Sequence, residues 1–184
     1  MVELADVEEV LTLFCEGIAG RYLHIKSTRE FSSWKLDLAE NTPGQTRDAL
    51  YLPDALEGDA GAYRVLALEQ IGYRECGTFQ FSLARAQERV HALGERAERS
   101  QVARGGDLTR LFNHFQRPSL ARDIFLTLEY VRVMAHVFRR YPGIIAHANR
   151  YFALQLAGVD GRGEGVLQRA RWTVMRAQIG RAHV

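Results

Sequence analysis

The sequence predicts a mostly α fold: a helical domain with at most one or two short strands, near 49–52 and 78–83. Three observations carry this. Apolar residues recur every three to four positions through most of the chain, the runs are punctuated by Asp, Gly and Pro where helices start and stop, and only 49–52 reads as a short extended piece stopped by a proline. With 184 residues, 47% hydrophobic and 25% charged, the chain can bury a substantial core.

Taken in order, Val7, Val10, Leu11, Phe14, Ile18 and Tyr22 form a 3.6-residue stripe, so an amphipathic helix is expected from Leu4 to Ala19 or beyond, ended or bent by Gly20. Pro43-Gly44 marks a turn. Asp59 is placed to cap a helix from Ala60 to Glu75, with Gly77 as its stop. Residues 84–104 alternate Arg and Glu over a thin apolar set, Val90, Leu93 and Ala97, which describes a solvated helix. Asp107 then caps a short helix through Phe115, and Pro118 opens a long one reaching Arg140. Tyr141-Pro142-Gly143 breaks it, 144–156 forms the next helix, 158–165 is a Gly-rich loop, and 166–178 begins a further helix.

Composition removes several function classes. The 24 basic and 22 acidic residues leave a net charge of +2, too balanced for the cationic face that nucleic acid requires. Cys15 and Cys76 lack C-x-x-C spacing and read as buried thiols of a reducing cytoplasm. No apolar run approaches the roughly 18 to 20 residues of a membrane span, and the acidic first nine residues do not resemble a signal peptide. The chain has no G-x-x-x-x-G-K-[ST], no G-x-G-x-x-G after a strand and no G-x-S-x-G elbow. Phe112, Phe115, Phe125, Tyr130 and Phe138 recur near helical spacing and read as core.

Two polar stripes remain. Glu69 and Tyr73 lie four residues apart on one helix face; Arg122, Glu129, Arg132, His136 and Arg140 share a band on the long helix, with Ile124, Leu128, Val131 and Phe138 covering much of the rest. The expected polar seam is therefore Glu69, Tyr73, Glu129, Arg132 and His136. A zinc hydrolase needs about three good protein ligands. Here only Glu69 and Glu129 qualify, Tyr73 is a poor ligand, and no His-x-x-x-His occurs, so the expected role is a helix-to-helix ion pair of a Glu with Arg132 or another Arg. No catalytic, cofactor or metal residue is assigned.

Leu50-Tyr51-Leu52-Pro53, Tyr63-Arg64-Val65-Leu66-Ala67, Gly72-Tyr73 and Gly77-Thr78-Phe79 form one block; Leu120-Ala121-Arg122-Asp123-Ile124-Phe125, Glu129, Arg132 and Arg140-Tyr141-Pro142-Gly143 form a second. Together they resemble the helical region of the NorD/CbbO family, von Willebrand factor A domain proteins that work with MoxR-type AAA+ ATPases. The signature residues are Pro53, Gly72, Gly77, Thr78, Phe79, Asp123, Phe125, Glu129, Arg132, Tyr141, Pro142 and Gly143, and the resemblance covers about 14–145. It implies a cytoplasmic adaptor rather than a stand-alone enzyme. Its partners would be a MoxR-type ATPase and a client enzyme, Rubisco or nitric oxide reductase. Many relatives have His where this chain has Glu69 and Tyr73, so no metal site is carried over. The alternative is a degenerate or active zinc-metallopeptidase-like protein using Glu69 and Glu129.

The A domain's D-x-S-x-S loop is absent from these residues. The expected organisation is a helical domain at 1–157, a loop and the start of a truncated following segment at 158–178, and a non-native tail at 179–184. That tail, I-G-R-A-H-V, back-translates to a sequencing-adapter string.

Overall fold

The computed structural model describes residues 1–30, 44–89 and 106–157. The loop, helix and tail expected at 158–184, and most of the helix expected at 84–104, lie outside the described residues. The fold is mostly α, with six helices among the described residues: α1 Leu4–Ala19, α2 Ala60–Glu75, α3 Leu83–Arg89, α4 Asp107–Phe112, α5 Pro118–Arg140 and α6 Ile145–Ala157. Strands β1 Val2–Glu3, β2 His24–Ser27, β3 Gly44–Gln45, β4 Ala49–Leu52 and β5 Ala55–Leu56 complete it.

Helix boundaries follow their local chemistry. α1 stops where Gly20 adopts φ 65° and its N–H closes on the Glu16 carbonyl at 2.9 Å, a left-handed turn that costs an L side chain but not glycine. Asp59 caps α2 by accepting from the Gly61 N–H at 2.7 Å. Pro118 starts α5, where its missing N–H would have had no partner.

The strand content exceeds the sequence expectation at one end and contradicts it at the other. β4 falls at 49–52, but it is the middle of a three-stranded sheet, parallel to β2 and antiparallel to β3, while β1 pairs antiparallel with β5. Most of these pieces are two residues long, too short to establish a period-2 pattern. Residues 78–83 are not extended. Gly77, at φ 71°, turns the chain into a 3-10 turn over Thr78–Gln80, and α3 follows from Leu83.

Helix α2 is the hub. Every residue from Gly61 to Gly72 except Arg64 is buried, as expected of a helix with neighbours on most sides. One side joins Tyr63, Leu66, Ala67 and Ile71 to Leu11 and Cys15 of α1 and to Leu50 and Leu52 of β4. The other joins Val65 and Leu68 to Tyr130, Val133, Met134 and Val137 of α5 and to Ala148 and Phe152 of α6. Each large apolar side chain withdrawn from water contributes about 1.5–3 kcal/mol. Gly72 lets α5 approach: a Cβ there would sit 2.7 Å from Val137 Cγ2 and 2.9 Å from Val133 Cγ1.

Three expectations about side chains are corrected by this packing. Phe115, expected in the core, is exposed, and on the first half of α5 Ile124 and Leu128 are likewise 44% and 66% exposed; the core side of α5 is Tyr130, Val133, Met134 and Val137. On α1, Val10 belongs to the apolar stripe but is exposed, as is Tyr22 beyond the helix. Asp107 does not cap its own helix, which ends at Phe112 with Gly106 at the cap position. Its Oδ2 instead accepts from the Leu83 N–H at 2.9 Å, serving the otherwise orphaned donors at the start of α3.

Candidate functional site

Of the five polar residues picked out in the sequence, Glu129 and Arg132 meet where the C-terminal end of α2 and the turn after it cross α5, while His136 contacts Glu75 beside them. Glu129 is buried at 8% exposure. Its carboxylate accepts from Arg132 Nε at 2.7 Å and Arg132 Nη2 at 2.5 Å, and the Thr78 hydroxyl donates to it across the helix boundary. The second Arg132 nitrogen also donates to the Cys76 carbonyl at 3.0 Å, one of the carbonyls left without a helical partner where α2 ends.

For Glu129 this departs from the helix-to-helix ion pair with Arg132 expected from the sequence. Glu129 and Arg132 are three residues apart on one helix and are neighbours on its surface. The links of this pair to the end of α2 are hydrogen bonds instead, from Thr78 to Glu129 and from Arg132 to the Cys76 carbonyl. Burial acts to raise the Glu129 carboxyl, but hydrogen bonds from Arg132 and Thr78 together with the guanidinium charge outweigh it and hold it below the usual carboxylate range. The same hydrogen bond raises Arg132.

A second node lies alongside. Glu75, the last residue of α2, accepts from the Tyr141 hydroxyl at 2.6 Å and lies 2.8 Å from His136 Nε2. Burial and the Glu75 contact raise Tyr141. Tyr141 also ends α5, its N–H closing on the Val137 carbonyl at 2.7 Å before the 3-10 turn Pro142–Ile144. The Tyr141-Pro142-Gly143 break and the end of α2 are thus joined through one carboxylate.

The other signature residues have structural settings of their own. Pro53 offers its carbonyl to the buried Tyr63 hydroxyl at 2.9 Å, and that hydroxyl also reaches the Val2 carbonyl at 3.3 Å. Gly72 and Gly77 are set by close approach and by positive φ. Phe79 is exposed, with its ring centroid 6.5 Å from that of half-buried Tyr73. Phe125 packs on Phe112 at 5.5 Å, and Asp123 lies 3.8 Å from Arg122. Glu69 is buried on α2, one turn before Tyr73. Cys15 is fully buried, and burial pushes its thiol up to about 12, whereas Cys76 is only half-buried.

Sequence reasoning missed Glu75 and Gln45. The Gln45 amide of β3 donates to the Gln70 carbonyl at 2.7 Å, its side-chain oxygen accepts from Arg74, and Arg74 also reaches the Arg47 carbonyl at 2.7 Å. Glu75 sat at the predicted helix end, the one place where a polar side chain reaches the incoming chain, and that was its only signal.

Among the described residues, no group of three His, Cys, Asp or Glu side chains is placed to hold a metal ion, and no helix is long and apolar enough to cross a membrane. No family model, curated protein or solved structure matches this chain.

Proposed function

We propose that the chain is a cytoplasmic adaptor of the NorD/CbbO type, which works with a MoxR-type AAA+ ATPase to activate or mature a client enzyme, Rubisco or nitric oxide reductase. One observation supports this reading above others. The two sequence blocks that carry the resemblance are joined by the Thr78 to Glu129 hydrogen bond and by Arg132 on the Cys76 carbonyl. Residues that recur together in the pattern therefore have a shared physical task, holding the α2 exit against α5. ATP hydrolysis belongs to the ring in this reading, and the chain supplies a rigid helical body with a docking surface.

The test is to mix the full chain with purified MoxR-type ATPase and measure ATPase rate and co-elution. Sugar-phosphate-inhibited Rubisco and immature nitric oxide reductase are then added in parallel. Stoichiometric co-elution with a changed ATPase rate supports the adaptor, and the client that gains activity identifies the target. Absence of binding to any such ring overturns it.

The metallopeptidase-like alternative asks Glu69 and Glu129 to bind zinc. It is less favoured because both oxygens of Glu129 already accept from Arg132 or Thr78. Stoichiometric zinc in the purified protein, lost on Glu69→Ala, would move the balance to it.

A further inference from the structure

Three arginines from separate parts of the chain come together at the turn between β3 and β4. Arg21, just beyond the end of α1, donates from Nη2 to the Arg47 carbonyl at 2.5 Å. Arg74, in the last turn of α2, donates from Nη1 to the same carbonyl at 2.7 Å. Two guanidinium nitrogens on one oxygen lie within about 5 Å of each other, a separation at which like charges repel even at the effective dielectric of a protein surface. Arg47 adds a third charge from the turn itself; it is exposed, and its side chain makes no hydrogen bond or ion pair among the described residues.

The negative charge nearby falls short of three guanidiniums. The C-terminal ends of α1 and α2 each present the equivalent of about half a negative charge. Asp48 adds one, 3.4 Å from Arg21 Nη1 and with its side chain 71% exposed. The surplus is roughly one positive charge, concentrated on a single turn. Donors are left over as well. Arg74 is held at two points, because its Nε donates to Gln45 Oε1 while the Gln45 amide is itself tied to the Gln70 carbonyl at 2.7 Å. Its Nη2, the Nε of Arg21 and the whole guanidinium of Arg47 have no hydrogen-bond partner among the described residues. Phosphoryl oxygens accept from such forks two at a time, and a guanidinium that is already fixed loses little freedom in binding them.

We propose that Arg21, Arg47 and Arg74 form a binding site for a phosphoryl group at the turn between β3 and β4. Arg74 supplies the fixed donors, Arg21 flanks them, and Arg47 closes over the ligand from the turn. Asp48 competes for Arg21 and limits the affinity. The site shares no residue with the clamp of Glu129 and Arg132.

Calorimetric titration of the full chain with inorganic phosphate and with pyrophosphate, at fixed ionic strength, tests this. Binding with a dissociation constant in the millimolar range or below is expected, and acetate at the same ionic strength should give none. Arg47→Gln, which has no side-chain contact to lose, should weaken binding about tenfold, as should Arg74→Gln, while Asp48→Asn should tighten it severalfold. Thermal melts check folding, and if Arg74→Gln disturbs the fold the opposite effects of Arg47→Gln and Asp48→Asn decide. Phosphatidylcholine vesicles containing phosphatidic acid separate a lipid headgroup from a free phosphate: sedimentation with them that is lost in Arg47→Gln, without heat from the free anions, supports the site and assigns it to a membrane lipid. Failure to bind either form, or binding that Arg47→Gln and Asp48→Asn leave unchanged, overturns the proposal.

Discussion

Thr78 and Glu129, 51 residues apart in sequence, share a buried hydrogen bond that closes the end of α2 onto the middle of α5. Removing either partner leaves the other short of one bond. Thr78→Val and Glu129→Leu are each expected to cost about 1–3 kcal/mol in urea unfolding, since each deprives a buried polar group of its partner. The double variant should cost less than the sum by at least about 0.5 kcal/mol, the mark of direct coupling. Strict additivity would mean that the two residues act independently.

Acid should loosen the same clamp. Glu129 binds its proton less readily in the folded chain than in the unfolded one, so its contribution is present above the ordinary carboxylate range and is lost as pH falls through the lowered folded value. Unfolding free energy measured downward from pH 6 should decline through that interval. Glu129→Gln should flatten the decline, and an unchanged slope would assign the acid sensitivity to other carboxylates.

Gly72→Ala sets helix propensity against packing. Alanine favours a helix interior by about 1 kcal/mol, but its Cβ would lie within 3 Å of methyls on Val133 and Val137, β-branched side chains with little rotamer freedom. Overpacking typically costs about 1–3 kcal/mol. A net loss of stability is expected in thermal unfolding, and a rise in Tm would show that α5 can withdraw.

Tyr63→Phe should cost about 1–2 kcal/mol, because the hydroxyl serves two backbone carbonyls, those of Pro53 and Val2, from a fully buried ring. Amide exchange near Val2 and β5 should speed up more than exchange in α5. Uniform acceleration would mean that the hydroxyl anchors the whole domain rather than its N-terminal edge.

On α5, Leu128→Ser should change stability by less than about 0.5 kcal/mol, because the side chain is 66% exposed. A large loss would mean that this face is covered in the full chain.

Helix positions were legible in the sequence because their signals are local: Asp59 caps α2, Gly20 and Gly77 take positive φ, and Pro118 starts α5. Burial direction was not. Ile124 and Tyr130 belong to the same amphipathic helix, and only the crossing point with α2 decides that Tyr130 is buried while Ile124 faces water. The strands were hidden because a two-residue pairing such as Val2 with Leu56 is set by the partner rather than by its own pattern. Glu129 and Arg132 could be read as a polar band, yet their partners Thr78 and Cys76 lie in another block, and spacing says nothing about distance across the fold. Asp107 shows the same limit: a residue suited to cap its own helix caps α3 instead.

The near-complete burial of α2 has a mechanical consequence. A helix at an edge can be peeled away turn by turn, each step needing little force. α2 shares side chains with α1, the β4 strand, α5 and α6, so a pull that dislodges it must break both clusters together. Under a directional load the domain should hold as one unit and then give way in a single event, transmitting tension instead of unravelling under it.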